Sequence, residues 1–137
     1  MKKYLGIALA LICIVSLTAC GSDKKINLPK SENVTEIEIK NNDSEHRKIV
    51  TDKEELSKII NELRDNSEST HKESVSDEPV NIEDYICIKF YQENAEENPS
   101  ILYLYKDRGS SFVEQPYSGI WKLKNELFDA FTETLKE

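Results

Sequence analysis

The chain has 137 residues, of which 32% are charged and 38% hydrophobic, with a formal net charge of −8 at pH 7. This length predicts one domain, and the acidic balance argues against nucleic-acid binding and against charge-driven attachment to anionic lipids. The two histidines and three cysteines leave few side chains for a metal site or a disulfide framework.

The N-terminal segment predicts a signal peptide with a lipid-attachment site. Two lysines precede an uncharged run from Tyr4 to Ala19, which is shorter than the roughly 20 apolar residues of a transmembrane helix. The exit sequence Leu-Thr-Ala-Cys, ending at Cys20, resembles the bacterial lipobox. This resemblance implies cleavage after Ala19, with diacylglycerol and a further acyl chain such as palmitate on Cys20. The alternatives are a signal peptide with an incidental cysteine and an uncleaved anchor.

We therefore expect a chain in three parts, held at the extracytoplasmic face of the cell membrane through lipid on Cys20. The parts are the lipoprotein signal peptide 1–19, the lipidated N-terminus and flexible tether 20–30, and a single α+β domain 31–137. Cys13 leaves with the signal peptide, so Cys87 is the one cysteine inside the domain. It is expected to pack as a small hydrophobe, the alternative being a disulfide between molecules.

The first elements of the domain form a hairpin and a helix. Apolar and polar residues alternate over 34–40, which predicts a half-buried strand, and turn residues at 41–45 lead to a return strand at 47–50. Thr51 and Glu54 have capping-box spacing. One apolar helix face follows, formed by Leu56, Ile59, Ile60 and Leu63. The helix should end near Asn66.

The second half of the domain is mainly strands. The polar residues 67–81 predict the longest loop. Strands are predicted at 85–91, 101–105 and 112–115, and residues 120–123 should re-enter the sheet or its rim. Apolar spacing predicts a closing helix from about Asn125. The order β-β-α-β-β-β-α favours an α+β fold, with a small antiparallel sheet and two helices packed on one face.

Most of residues 28–137 resembles a family of small Gram-positive lipoproteins that carry a domain of unknown function. The resemblance is carried by segments 34–40, 85–88 and 112–121 and by the predicted helix cap at Thr51. Its best motif is Glu-Gln-Pro-Tyr-x-Gly-Ile, which begins at Glu114. The resemblance implies the fold and supplies no activity, substrate or cofactor.

The sequence offers little for catalysis or metal binding. G-x-S-x-G is absent, and the two S-x-x-K matches, at Ser22 and Ser69, lack the partner motifs of that chemistry. His46 and His71 fall in a predicted turn and a predicted loop without metal-ligand spacing. We therefore predict no catalytic residue, no metal and no cofactor, and an enzyme is the minority hypothesis.

Aromatic residues supply the candidate interaction surface. If Ile86, Ile88 and Phe90 face the helices, the other sheet face carries a tyrosine stripe. The stripe consists of Tyr85, Tyr91, Tyr103 and Tyr105. Tyr117 and Trp121 form a second candidate patch. Tyrosine suits protein interfaces and sugar stacking, but tyrosines also pack across strands as structural residues, and the two faces could be reversed.

The combined prediction is a membrane-anchored extracytoplasmic lipoprotein that acts as a non-catalytic binding or interaction module. Its partner would be an envelope protein or a small ligand, and we expect a monomer with no nucleic acid. The alternatives are a cell-surface hydrolase and a toxin-immunity or accessory lipoprotein.

Overall fold

The computed structural model describes residues 24–43, 45–93 and 99–136. The predicted signal peptide, Cys20 and the first residues of the predicted tether lie outside this range. None of the helices in the described residues is long and apolar enough to cross a membrane. The elements are a 3-10 turn at Ser31–Asn33, β1 Val34–Asn41, β2 Arg47–Val50, α1 Lys53–Asp65, β3 Ser67–Lys72, β4 Ile86–Gln92, β5 Ser100–Asp107, β6 Ser110–Gln115, β7 Gly119–Leu123 and α2 Asn125–Lys136.

The strands form one antiparallel sheet in the order β2-β1-β4-β5-β6-β7-β3. The α+β class and the antiparallel sheet are confirmed, but the predicted element order is wrong. Residues 119–123 are a full strand, and 67–72, predicted as loop, form the edge strand β3. Pairs such as Glu68 with Lys122 put polar side chains on this edge. Strand β3 is held by backbone hydrogen bonds to β7, which nearly any sequence can make. Its residues do not alternate between apolar and polar, and this is why the sequence predicted a loop here.

Helix α1 begins one residue later than the predicted capping box. The N-cap is Asp52, whose side chain accepts a hydrogen bond from the Glu55 backbone N–H at 3.1 Å. Asp52 satisfies one of the free donors of the first turn, which a predicted Thr51 cap would have done less effectively. The predicted helix end is confirmed, since Asn66 is the C-cap.

The core lies against one face of the sheet, which we call the inner face. Ile86, Ile88 and Phe90 point into it as predicted, each at most 1% exposed. The same core contains the buried residues of both helices: Leu56, Ile60, Leu63, Leu127, Phe131 and Leu135. Trp121, predicted in a surface patch, is 2% exposed and belongs to this core because it pairs with Val113 on the inner face.

The part of the predicted tether that the structure describes is packed on the sheet. Ile26 is 6% exposed within the core. The Trp121 Nε1–H donates to the Lys24 carbonyl at 2.8 Å. The Gln115 side chain donates to the Asn27 carbonyl at 2.7 Å and accepts from the Asn27 N–H at 3.3 Å. The packed structure therefore reaches back to Lys24.

Candidate functional site

The candidate site is the outer face of the sheet, opposite the core. The predicted tyrosine stripe lies on this face, since Tyr103 pairs with Cys87 and with Glu114 in the sheet register. Tyr85 and Tyr91 are partly exposed. Tyr103 and Tyr105 are only 8% and 6% exposed. The expectation that these two residues form an open surface is therefore wrong.

The cover over the two buried tyrosines is the crossing segment, residues 73–85. It joins β3 at the sheet edge to β4, and β7, β6 and β5 lie between these two strands. The connection passes over the outer face, where Pro79 and Ser74 are buried. The Tyr85 and Tyr103 rings meet edge to face, with centroids 5.2 Å apart. Sequence reasoning missed this cover because strand order is a long-range property.

Glu114 anchors the crossing segment to the sheet. Its carboxylate is buried, with 5% exposure, and accepts from the Ser74 hydroxyl at 2.7 Å and the Tyr105 hydroxyl at 3.0 Å. Burial raises the pKa of Tyr105 above its ordinary value, and the charge of Glu114 raises it further. No buried side-chain polar atom in the described residues lacks a hydrogen-bond partner. The cluster is therefore a satisfied structural network.

The motif that begins at Glu114 is explained by packing. Glu114 holds the crossing segment, and Gln115 holds the N-terminal segment at Asn27. Gly119 lies under the Trp121 ring, because a Cβ added there would stand 3.0 Å from the ring atom Cη2. The motif thus joins two distant segments of the chain to the β6–β7 hairpin.

The β6–β7 hairpin places the two residues of the second predicted patch, Tyr117 and Trp121, on different sides of the sheet. Tyr117 lies in the β6–β7 turn, is 67% exposed and has a positive φ of 59°, a conformation that costs energy for a residue with a side chain. A hydrogen bond to Asp77 raises the pKa of its hydroxyl. Trp121 lies on the opposite face, in the core. The structure therefore does not bring these two residues into one surface.

The part of the outer face that the crossing segment leaves uncovered lies on β2, β1, β4 and the start of β5, and we call it the open half. Its central row runs across four strands through the register pairs Ile49–Glu38, Glu38–Lys89 and Lys89–Ile101. Ile49 is 44% exposed, and Ile101 is partly exposed. One apolar side chain therefore lies at each end of the row, with a carboxylate and an ammonium group between them.

Further side chains border the central row. Tyr91 pairs with Glu36 on one side of it, and Arg47 forms an ion pair with Glu38 at 3.4 Å on the other. Aromatic residues and Arg are enriched at protein interfaces, whereas Lys and Glu are depleted there, so Tyr91 and Arg47 are the features of this surface that favour an interface.

Cys87 lies beside the row and is a free, half-buried cysteine. Burial raises the pKa of its thiol, and the nearby Lys89 lowers it by a smaller amount. A thiol with a raised pKa is largely protonated at neutral pH and is a poor nucleophile. The described residues contain no group of three or more His, Cys, Asp or Glu side chains that could hold a metal ion.

A groove lies between the two helices, above β1 and β2. It has a volume of about 200 Å³, and its apolar floor includes Ile39, Val50 and Phe131. Lys58 and Glu62 stand at its rim. Ligand pockets usually measure about 300–1,000 Å³, so this groove is small for a ligand.

Comparisons with known proteins give one family match and one similar solved structure. A family model, DUF5301, described as "Domain of unknown function (DUF5300)", matches residues 22–122. The chain is also similar to a solved structure described as "NMR structure of the protein from Ruminococcus gnavus", with 30% sequence identity and a TM-score of 0.61. That match covers 74% of this chain and 94% of the other. A search of curated proteins found no match.

Proposed function

The chain belongs to the DUF5301 family of domains of unknown function, and we propose that it is an anchored interaction module of the cell envelope. In this proposal, lipid on Cys20 attaches the protein to the extracytoplasmic face of the membrane. The support is the N-terminal pattern of lysines, a short apolar run and a lipobox-like exit. The domain acts as a monomer and binds a protein partner without catalysis.

The observation that carries the proposal is the row from Ile49 to Ile101 across the open half. Exposed apolar side chains on a sheet face lose water when a partner covers them, which favours association. Glu38 and Lys89 at the centre give charges of both signs, which set the orientation of a partner and exclude others. Tyr91 adds a rigid aromatic contact next to them.

The inner face is unsuitable for the same role. We propose that the two helices pack side by side over it, which their shared core with Ile37, Ile88 and Leu104 supports. The sheet then has one face that serves stability and half of the other face free for recognition.

The test places a photo-crosslinking amino acid in the lipidated protein in cells, either at Ile49 on the open half or at Lys58 on α1. Both positions are exposed, so the second is a matched control for surface access. We expect a discrete crosslinked protein from position 49 that is absent at position 58. Lys89→Glu should abolish that product while circular dichroism shows an unchanged fold.

Two outcomes would contradict the proposal. One is the same set of crosslinked products from both positions, which would indicate random collisions. The other is a product from position 49 that Lys89→Glu leaves unchanged, because the centre of the row would then have no part in binding.

A further inference from the structure

The packed N-terminal segment restricts where the membrane can be. Lys24 is the fourth residue after Cys20, and four residues span at most about 14 Å when fully extended. If Cys20 carries lipid in the bilayer, Lys24 must lie within that distance of the membrane surface. A flexible tether as long as the predicted 20–30 segment would have imposed no such restriction.

Lys24 is also fixed to the fold. Its carbonyl accepts from Trp121 Nε1–H at 2.8 Å, and its ammonium group donates to the Ser118 carbonyl at 2.7 Å. Ile26, two residues on, is buried in the core. Lys24, four residues from Cys20, is therefore held at a fixed place on the domain, next to the turn between β6 and β7.

The surface around this point has the composition of a membrane contact. We call it the anchor end, formed by Lys24, Lys25 and the turn 116–118. Both lysines and Tyr117 are exposed. Tyrosine places its ring at the level of lipid headgroups and its hydroxyl in water. Lysines next to a membrane are attracted to anionic headgroups.

The charge near the anchor end differs from that of the whole chain. Lys24 and Lys25 line one groove with Arg64, which also contains the carboxylates of Asp65 and Glu68. The groove holds three basic and two acidic groups, and Asp77, which is hydrogen-bonded to Tyr117, adds a third carboxylate at the anchor end. The local charge is therefore near zero in a chain whose formal net charge is −8, which weakens the repulsion from an anionic membrane at this end.

We propose that the anchor end rests among the lipid headgroups and gives the anchored domain one fixed orientation, an inference that rests on lipidation of Cys20. The β6–β7 turn faces the membrane, and the β5–β6 turn, at the opposite end of β6, faces away. Ile49 on β2 lies five strands from β7 in the sheet, or about 24 Å at the usual strand spacing. Along the strands, Ile101 lies two residues before Tyr103, which pairs with Glu114, so the central row is at the same end of the sheet as the β6–β7 turn and a partner on the open half would bind close to the membrane surface.

The experiment uses the lipidated protein in vesicles of phosphatidylcholine and phosphatidylglycerol that contain headgroup-level nitroxide lipid. A fluorophore is attached to a single cysteine, Tyr117→Cys or Arg108→Cys, in the Cys87→Ser background. The two positions are a matched pair, since both are exposed, lie in hairpin turns and have positive φ. We expect the nitroxide to quench the label at 117 and to leave the label at 108 unquenched.

A third variant tests whether the packed segment sets the orientation. The double variant Ile26→Ala, Gln115→Ala removes the buried side chain of the segment and both hydrogen bonds to Asn27 without changing the labelled positions. We expect the difference in quenching between 117 and 108 to shrink. An undiminished difference would overturn the role of the packed segment.

Equal quenching at both positions, or stronger quenching at 108, would overturn the proposed orientation. Mass spectrometry of the same sample separates this result from failure of the anchor itself. A lipidated protein with equal quenching overturns the orientation alone, whereas a chain that carries no lipid overturns both the anchor and the orientation.

Discussion

At the scale of single residues, burial differs between side chains of the same type that the sequence predicted to be alike. Tyr103 and Tyr117 are both tyrosines that were predicted on an interaction surface, yet they are 8% and 67% exposed. The difference arises because the crossing segment covers one and leaves the other in a turn. Tyr103 therefore contributes mainly to stability.

Tyr103→Ala should lower the free energy of unfolding by about 3 kcal/mol, because it leaves a cavity under the crossing segment and removes the ring contact with Tyr85. Tyr117→Ala is the comparison and should cost no more than about 1 kcal/mol, since its side chain is exposed and loses only the hydrogen bond to Asp77. Urea denaturation of both variants measures the difference. Equal losses would show that Tyr103 is not covered as described.

The buried tyrosines also predict loss of stability in alkali. Burial, followed by the charges of Cys87 and Glu78, raises the pKa of Tyr103 to about 12, and burial raises that of Tyr105. An unfolded tyrosine ionises near pH 10, so above that pH the unfolded chain binds fewer protons than the folded chain. Stability should therefore be unaffected by these groups below about pH 10 and fall as the pH rises toward 12.

Denaturant titrations at several alkaline pH values measure this slope. Tyr103→Phe should make the fall shallower than in the unmodified chain, because it removes one ionising group. A slope that is unchanged in this variant would mean that Tyr103 ionises alike in the folded and unfolded states.

At the scale of elements, patterns of apolar residues predicted strands and helices correctly, whereas an element made of polar residues was not predicted. The alternation in β4 and the helical spacing in α1 each correspond to a row of residues buried in one core, so local sequence predicts them. Strand β3 has no such pattern, and its pairing with β7 depends on residues about 50 positions away, as in the Thr70 hydroxyl bond to the Ile120 carbonyl. Local sequence carries no signal for a contact of that kind.

The start of α1 gives a test at this scale. Asp52→Ala should cost about 1 kcal/mol of stability, because the Glu55 N–H loses its side-chain acceptor in the first turn of the helix. Thr51→Ala, one residue earlier and also exposed, should cost no more than about 0.5 kcal/mol. Thermal denaturation compares the two variants. A larger loss for Thr51→Ala would restore the capping box that the sequence predicted.

At the scale of the whole molecule, the β6–β7 hairpin joins two distant segments, the N-terminal residues 24–27 and the crossing segment. The Trp121 bond to Lys24 links residues 97 positions apart, and the Ser74 bond to Glu114 links residues 40 positions apart. These contacts close the outer face on one side and fix the N-terminal segment on the other. The fold and the proposed membrane orientation therefore depend on the same hairpin.

Removal of the N-terminal segment should destabilise the whole domain. An unlipidated chain that begins at Pro29 lacks Ile26 and the acceptor of the Trp121 indole, and we expect a loss of about 2 kcal/mol relative to one that begins at Gly21. Trp121 fluorescence should shift to longer wavelength as water reaches the ring.

The matched control for this truncation is Lys25→Ala in the longer chain, since that side chain is exposed and should leave both measurements unchanged. A truncated chain with full stability and unshifted fluorescence would show that residues 24–28 are a free tether after all.

The sequence by itself determined the α+β class, most strands, both helices and the direction of the inner face. It did so because alternation and helical spacing are local and follow directly from burial on one side. Only the tertiary structure decided which tyrosines are covered, that Trp121 is in the core, and that residues 24–27 are held on the sheet. Those properties depend on strand order and on contacts between distant segments, and the residues that make them carry no local pattern.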